Sequence, residues 1–222
     1  MLKPKAPEYL SVMVDLSLAG LVPGVEESRA KSRGRALESV LKKEGFDLLQ
    51  TLELQVSAAL PDYYLQRVAM GVPPASRSKS EGWASAPVRD CGCDFWLDLV
   101  VEQAGFRADT SLGGYKPTLT VKLGLIGALR RTQIANTTVV LRPEKTTGLM
   151  KKLQTSAVPS RDGPGPKTYE ALLADGKGAA RELRNAIADI ATAIARETAK
   201  AAGVRAPEVQ ETDALVPPPL PE

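Results

Sequence analysis

Apolar and polar residues alternate with period two along much of the chain. In residues 9–18 the even positions Leu10, Val12, Val14, Leu16 and Leu18 are apolar, and the odd ones include Ser11, Asp15 and Ser17. That spacing predicts a strand with one buried face. Residues 46–57 alternate in the same way, with Phe46, Leu48, Leu52, Leu54 and Val56 on one side and Asp47, Thr51, Glu53, Gln55 and Ser57 on the other, so a second strand is expected. In residues 94–103, Phe95, Leu97, Leu99 and Val101 oppose Asp94, Asp98 and Glu102. In residues 115–126, Leu119, Val121, Leu123 and Leu125 oppose Lys116, Thr118, Thr120 and Lys122. After a turn at 127–132, residues 133–142 pair back, and these last three strands read as an antiparallel meander.

Between the strands the period changes. Residues 26–44 place Ala30, Leu37, Val40 and Leu41 on one stripe, lead with acids and close with Lys42 and Lys43, as a helix dipole favours. Gly45 is the expected stop. Pro61 suits the first turn of a short helix running to about Met70. The strongest helical pattern spans residues 178–202, where Leu183, Ile187, Ile190 and Ile194 form the stripe and Arg181, Arg184, Asp189, Arg196 and Lys200 lie away from it; Gly203 ends it.

The expected order is β-α-β-α-β-β-β-α. It describes an α+β domain with a five-stranded mixed sheet and helices on one face. The first two strands, joined through a helix, would form a right-handed parallel crossover. Residues 1–8 read as an N-terminal extension and 9–203 as one domain with long loops at 72–93 and 143–168. Residues 204–222 read as a proline-rich tail of polyproline-II character.

Composition narrows the chemistry. The 222 residues hold 29 Lys and Arg against 26 Asp and Glu, a net charge of +3, too mild to mark a nucleic-acid binder. No stretch has the roughly 20 apolar residues of a membrane span. Histidine is absent, which removes Ser-His-Asp and Cys-His catalysis and the commonest metal ligand. Cys91 and Cys93 flank a single glycine. They fit neither a four-ligand zinc site nor a Cys-x-x-Cys redox pair, and read as free thiols or one local clip. No catalytic, cofactor-binding or metal-ligating residue is therefore assigned, and the chain is read as not an enzyme.

Several constellations each allow more than one reading. Asp94, Asp98 and Glu102 project from one strand face and suit either a hard cation or solvent. Gly163-Pro164-Gly165-Pro166-Lys167-Thr168 lacks the glycine spacing of a phosphate loop, and its prolines remove backbone donors. Arg29, Lys31, Arg33 and Arg35 make a basic segment on the first helix, suited to anions or RNA or simply to water. Trp96, Val100 and Ile126 break the polar parity of their strands and mark either a protein contact or a surface covered by the 72–93 loop with Trp83. Pro217, Pro218, Pro219 and Leu220 in the tail offer a second contact.

The layout resembles a class of bacterial envelope proteins. These are the curli-channel lipoproteins, the N-terminal domain of the Tol-system propeller protein, and small lipoproteins that assist envelope transporters and polymer export. The likeness covers residues 9–202: a first strand, a helix rich in small residues and Leu, a second strand, a segment Asp94-Phe95-Trp96-Leu97-Asp98-Leu99-Val100, the strand at 115–125 and a terminal amphipathic helix. It is one of layout, without a diagnostic motif, and carries no functional residue across. It implies a non-catalytic role in the periplasm or at the periplasmic face of the outer membrane, in rings or other multi-subunit complexes. Membrane association is then expected only through partners or a removed lipid anchor. The alternative expectation is a cytoplasmic anion- or RNA-binding module using the basic first helix.

Overall fold

The computed structural model describes residues 7, 10–14, 23–63, 94–108, 114–127, 133–141, 155–158 and 165–204. Strand β1 (Ser11–Val14) is followed by helices α1 (Pro23–Lys43) and α2 (Leu48–Ala59) and a 3-10 turn at Pro61–Tyr63. Then come β2 (Phe95–Ala108), β3 (Lys116–Gly127), β4 (Gln133–Leu141), β5 (Thr155–Val158), α3 (Tyr169–Ala174) and α4 (Gly176–Ala201).

The expected five-stranded β-α-β-α-β-β-β-α arrangement is overturned, although the class remains α+β. Residues 46–57 are not a strand but lie largely in α2. The expected strands therefore supply a four-stranded mixed sheet, β1-β2-β3-β4, and the four-residue β5 adds to its edge from within the stretch expected to be irregular. β1 runs parallel to β2, from Ser11 opposite Gly105 to Val14 opposite Ala108. The parallel neighbour of β1 is thus β2 and not residues 46–57, which lie instead within the connection that carries α1 and α2. The meander stands: β2 pairs antiparallel with β3, and β3 with β4.

The misread segment satisfied both periods. Leu52, Val56 and Leu60 step by four and are buried, with Leu48, Leu49 and Ala59 packed beside them. Leu54, which only the strand pattern needs, is 62% exposed. The Asp47 carboxylate accepts from the Gln50 backbone N–H at 2.8 Å, capping the first turn. Leu, Glu, Gln and Ala dominate the segment, and straight-chain residues lose little freedom in a helix.

Elsewhere the pattern transfers well. Leu97, Leu99, Val101, Leu119, Val121, Leu123 and Leu125 are all buried in one core with the α4 stripe Leu183, Ile187, Ile190 and Ile194. Helix α4 lies against β3, β4 and β5; α1 packs on β1 and α4, and α2 packs on α4. α1 ends as expected at Gly45, whose φ of 64° is the left-handed turn that lets the Phe46 N–H reach the Leu41 carbonyl at 3.0 Å. A register shift between Val101 and Gln103 bulges β2, so that the buried face continues at Ala104 and Phe106.

Candidate protein-contact site

Pairing register fixes which side chains share the second sheet face. Trp96 stands opposite Ile126, Asp98 opposite Gly124 and Val100 opposite Lys122. The expected set Trp96, Val100 and Ile126 is therefore on one face. Ile126 is only 3% exposed, however, and Trp96 and Val100 are half-buried. The Trp96 indole N–H is buried and has no hydrogen-bond partner among the described residues. Trp83 and the tail residues Pro217, Pro218, Pro219 and Leu220 lie outside the described residues, as do Cys91 and Cys93.

The acids on that face do not gather. Asp98 is buried, at 1% exposure, and already engaged, while Asp94 is exposed and Glu102 pairs with Lys122 across the strands. Among the described residues, no group of three or more potential metal ligands is brought together.

The basic segment of α1 is split in a similar way. Alternate residues on a helix point to different sides. Arg29 and Arg35 are exposed; Lys31 is half-buried and engaged. The Arg33 guanidinium sits 5.1 Å from the centre of the Tyr169 ring, and the Tyr169 hydroxyl donates to the Arg33 carbonyl at 3.1 Å. Burial pushes Tyr169 and the neighbouring Tyr115 above the ordinary tyrosine pKa, against the opposing pull of Arg33. This cluster ties α1 to α3 and is structural. The described part of the glycine-proline stretch, from Gly165 on, is structural as well. Pro166 accepts from the Tyr115 N–H at 2.7 Å, and the Thr168 hydroxyl caps α3 by accepting from Ala171 N–H at 3.1 Å.

The described residues line two concavities of note. The first, about 570 Å³, lies between the start of β3 and the first half of α4. Its polar lining mixes Lys116 and Arg181 with Asp175, Glu182 and Asp189. Asp175 is committed to the α4 cap, accepting from Gly178 N–H at 2.9 Å, and Asp189 is also engaged.

The second, about 870 Å³, runs along β4 and is walled by Ser156, Ala157, Glu197, Lys200 and Ala201. Its position follows from the strand lengths. β5 covers β4 only from Thr138 to Leu141. Among the described residues, the outer side of Gln133–Thr137 therefore carries no strand, although its inner side pairs with β3. A register shift between Leu125 and Ile126 leaves Ile134 as the extra residue of β4, and it is 45% exposed. The Ala135 carbonyl receives a long 3.5 Å bond from the Gln133 side-chain amide of its own strand. Glu197 is fixed on the wall by a 3.2 Å bond from the Ser156 hydroxyl. Backbone groups on an open edge are a template for another strand, and Ile134 adds apolar area beside them. Sequence reasoning missed this site because residues 143–168 read as irregular, so β5 and the place where it stops pairing with β4 were not expected.

No family model, curated protein or solved structure matches the chain.

Proposed function

We propose that this chain is a non-enzymatic structural or assembly protein of the bacterial cell envelope, acting through protein–protein contacts within a larger complex. The observation that carries the contact role is the outer side of β4: among the described residues, Gln133–Thr137 has no strand beside it, and an exposed Ile134 and a groove flank it. The envelope assignment rests on the layout resemblance of the strand, helix and terminal-helix order. Extended segments that add to such an edge gain affinity from main-chain hydrogen bonds and specificity from side-chain pockets.

A photo-crosslinking residue at Ile134, introduced into the chain in its bacterial source, tests both halves. The expected result is discrete adducts of higher mass that sediment with the envelope fraction. A chain that forms no adduct and stays in the cytoplasmic fraction overturns the proposal.

A further inference from the structure

We infer that the cavity of about 570 Å³ beside the first half of α4 binds a small zwitterion with an apolar body, of the free amino-acid class. This adds a ligand site to the contact role and does not depend on it. The floor of the cavity is apolar: Phe106, Leu141 and Leu172 line it and are at most 2% exposed. Its polar wall comes from α4. Gly178, Glu182, Asn185 and Asp189 step by four, three and four and so share one stripe, with Arg181 beside it. Lys116 lines the cavity from the start of β3. Asp175 and Asp189 are already bonded. Lys116, Arg181, Glu182 and Asn185 are not: among the described residues, none of them makes an ion pair or a side-chain hydrogen bond. Lys116, Glu182 and Asn185 are nonetheless half-buried. A base and an acid thus line one cavity without meeting, above an apolar floor where a completed pair is stronger than in water.

Charge selects the ligand. A simple anion would answer Lys116 and Arg181 but face the Glu182 carboxylate. A simple cation would answer Glu182 and face the two bases. A molecule with both charges completes both sides, its carboxylate on Lys116 and Arg181 and its ammonium on Glu182. The Asn185 amide carries donors and an acceptor and serves either end. An apolar side chain directed at Phe106, Leu141 and Leu172 leaves water. The volume falls within the range of about 300–1,000 Å³ usual for small-molecule sites. The walls are also set in advance. The Tyr115 N–H donates to the Pro166 carbonyl at 2.7 Å, which fixes the start of β3 against residues 165–166, and the Asp175 cap fixes the start of α4. Little ordering therefore opposes binding.

The test titrates the full chain, followed by amide chemical shifts, with three probes that share a phenyl group. L-phenylalanine carries both charges, 3-phenylpropionate only the carboxylate and phenethylamine only the ammonium. The expected result is saturable binding of L-phenylalanine at millimolar concentration or below, with shifts centred on residues 178–189 and 115–117, and binding ~10-fold weaker for each single-charge probe. Glu182→Gln should weaken L-phenylalanine ~10-fold and leave 3-phenylpropionate no weaker than before; Arg181→Gln should weaken 3-phenylpropionate and spare phenethylamine. Lys200→Gln, on α4 outside this cavity, should change none of the three. Both cavity variants alter groups with no internal bond, and circular dichroism of each establishes that it is folded. Absence of L-phenylalanine binding up to roughly 10 mM, single-charge probes that bind as tightly, shifts centred elsewhere, or folded cavity variants with unchanged affinities overturns the inference.

Discussion

Truncating Leu52 and Leu54 separately to alanine asks whether residues 48–59 form a helix or a strand. In a strand the two side chains share a face and are equivalent. In α2 they are two positions apart on a helix, with Leu52 at 0% exposure and Leu54 at 62%. Leu52→Ala removes carbons worth roughly 2–2.5 kcal/mol by transfer alone, and the cavity left against the core raises the loss to ~3–5 kcal/mol. Leu54→Ala removes mostly solvated carbons and places the best helix former on an exposed face, so its change stays within about 0.5 kcal/mol. With a slope of about 2–3 kcal/mol per molar urea, the upper part of the usual range because the slope grows with chain size, the first variant loses roughly 1–2.5 M of its unfolding midpoint and the second is nearly unmoved. Equilibrium urea unfolding followed by circular dichroism reads both. Equal midpoint losses, or a larger loss for Leu54→Ala, would refute the helical assignment and with it the route by which β1 reaches β2.

Further outcomes follow from single contacts. Asp175→Ala removes the acceptor of the Gly178 N–H at the start of α4, and is expected to cost ~1 kcal/mol in the same unfolding assay, as Asp47→Ala should for α2. Gly165→Ala would drive a methyl group into the Tyr115 carbonyl, a backbone atom that cannot swing aside; thermal unfolding should show a loss of at least about 1–3 kcal/mol, while Lys167→Ala, at an exposed position, should not. Tyr115 and Tyr169 ionise above the ordinary value of 10.0, chiefly because burial disfavours the phenolate. The unfolded chain therefore loses these protons first, so their contribution is intact below pH 10 and is lost as pH rises from there through the folded values. Ultraviolet titration should show late-ionising tyrosines that Tyr169→Phe reduces in number; ionisation of all tyrosines together near the ordinary value contradicts this.

Much of the architecture was legible because alternation and burial agree. In β3, Leu119, Val121, Leu123 and Leu125 are apolar in sequence and buried in the fold, and in α4 the Leu183–Ile194 stripe faces the sheet. Residues 46–57 were ambiguous because leucines at 48, 52 and 54 suit period two, whereas Leu52, Val56 and Leu60 suit a helix. The arbitrating signal was Asp47 followed by Gln50, a capping pattern at the head of a run of good helix formers. β5 escaped notice since Thr-Ser-Ala-Val is too short and too polar to show a period. The candidate site depended on that strand: among the described residues β5 begins opposite Thr138 and leaves the first half of β4 without an outer neighbour, and no property of residues 133–137 alone announces it. Ile134 likewise belongs to a register shift that alternation cannot foresee.

Residue-resolved amide hydrogen exchange of Gln133–Thr137, measured on dilute and concentrated full-length protein, tests the open edge most directly. The account predicts outward-facing amides that exchange freely in the dilute sample, while those bonded to β3 stay protected at both concentrations. Protection of the whole segment that is already complete in the dilute monomer would contradict it, since the edge would then be occupied within a single chain.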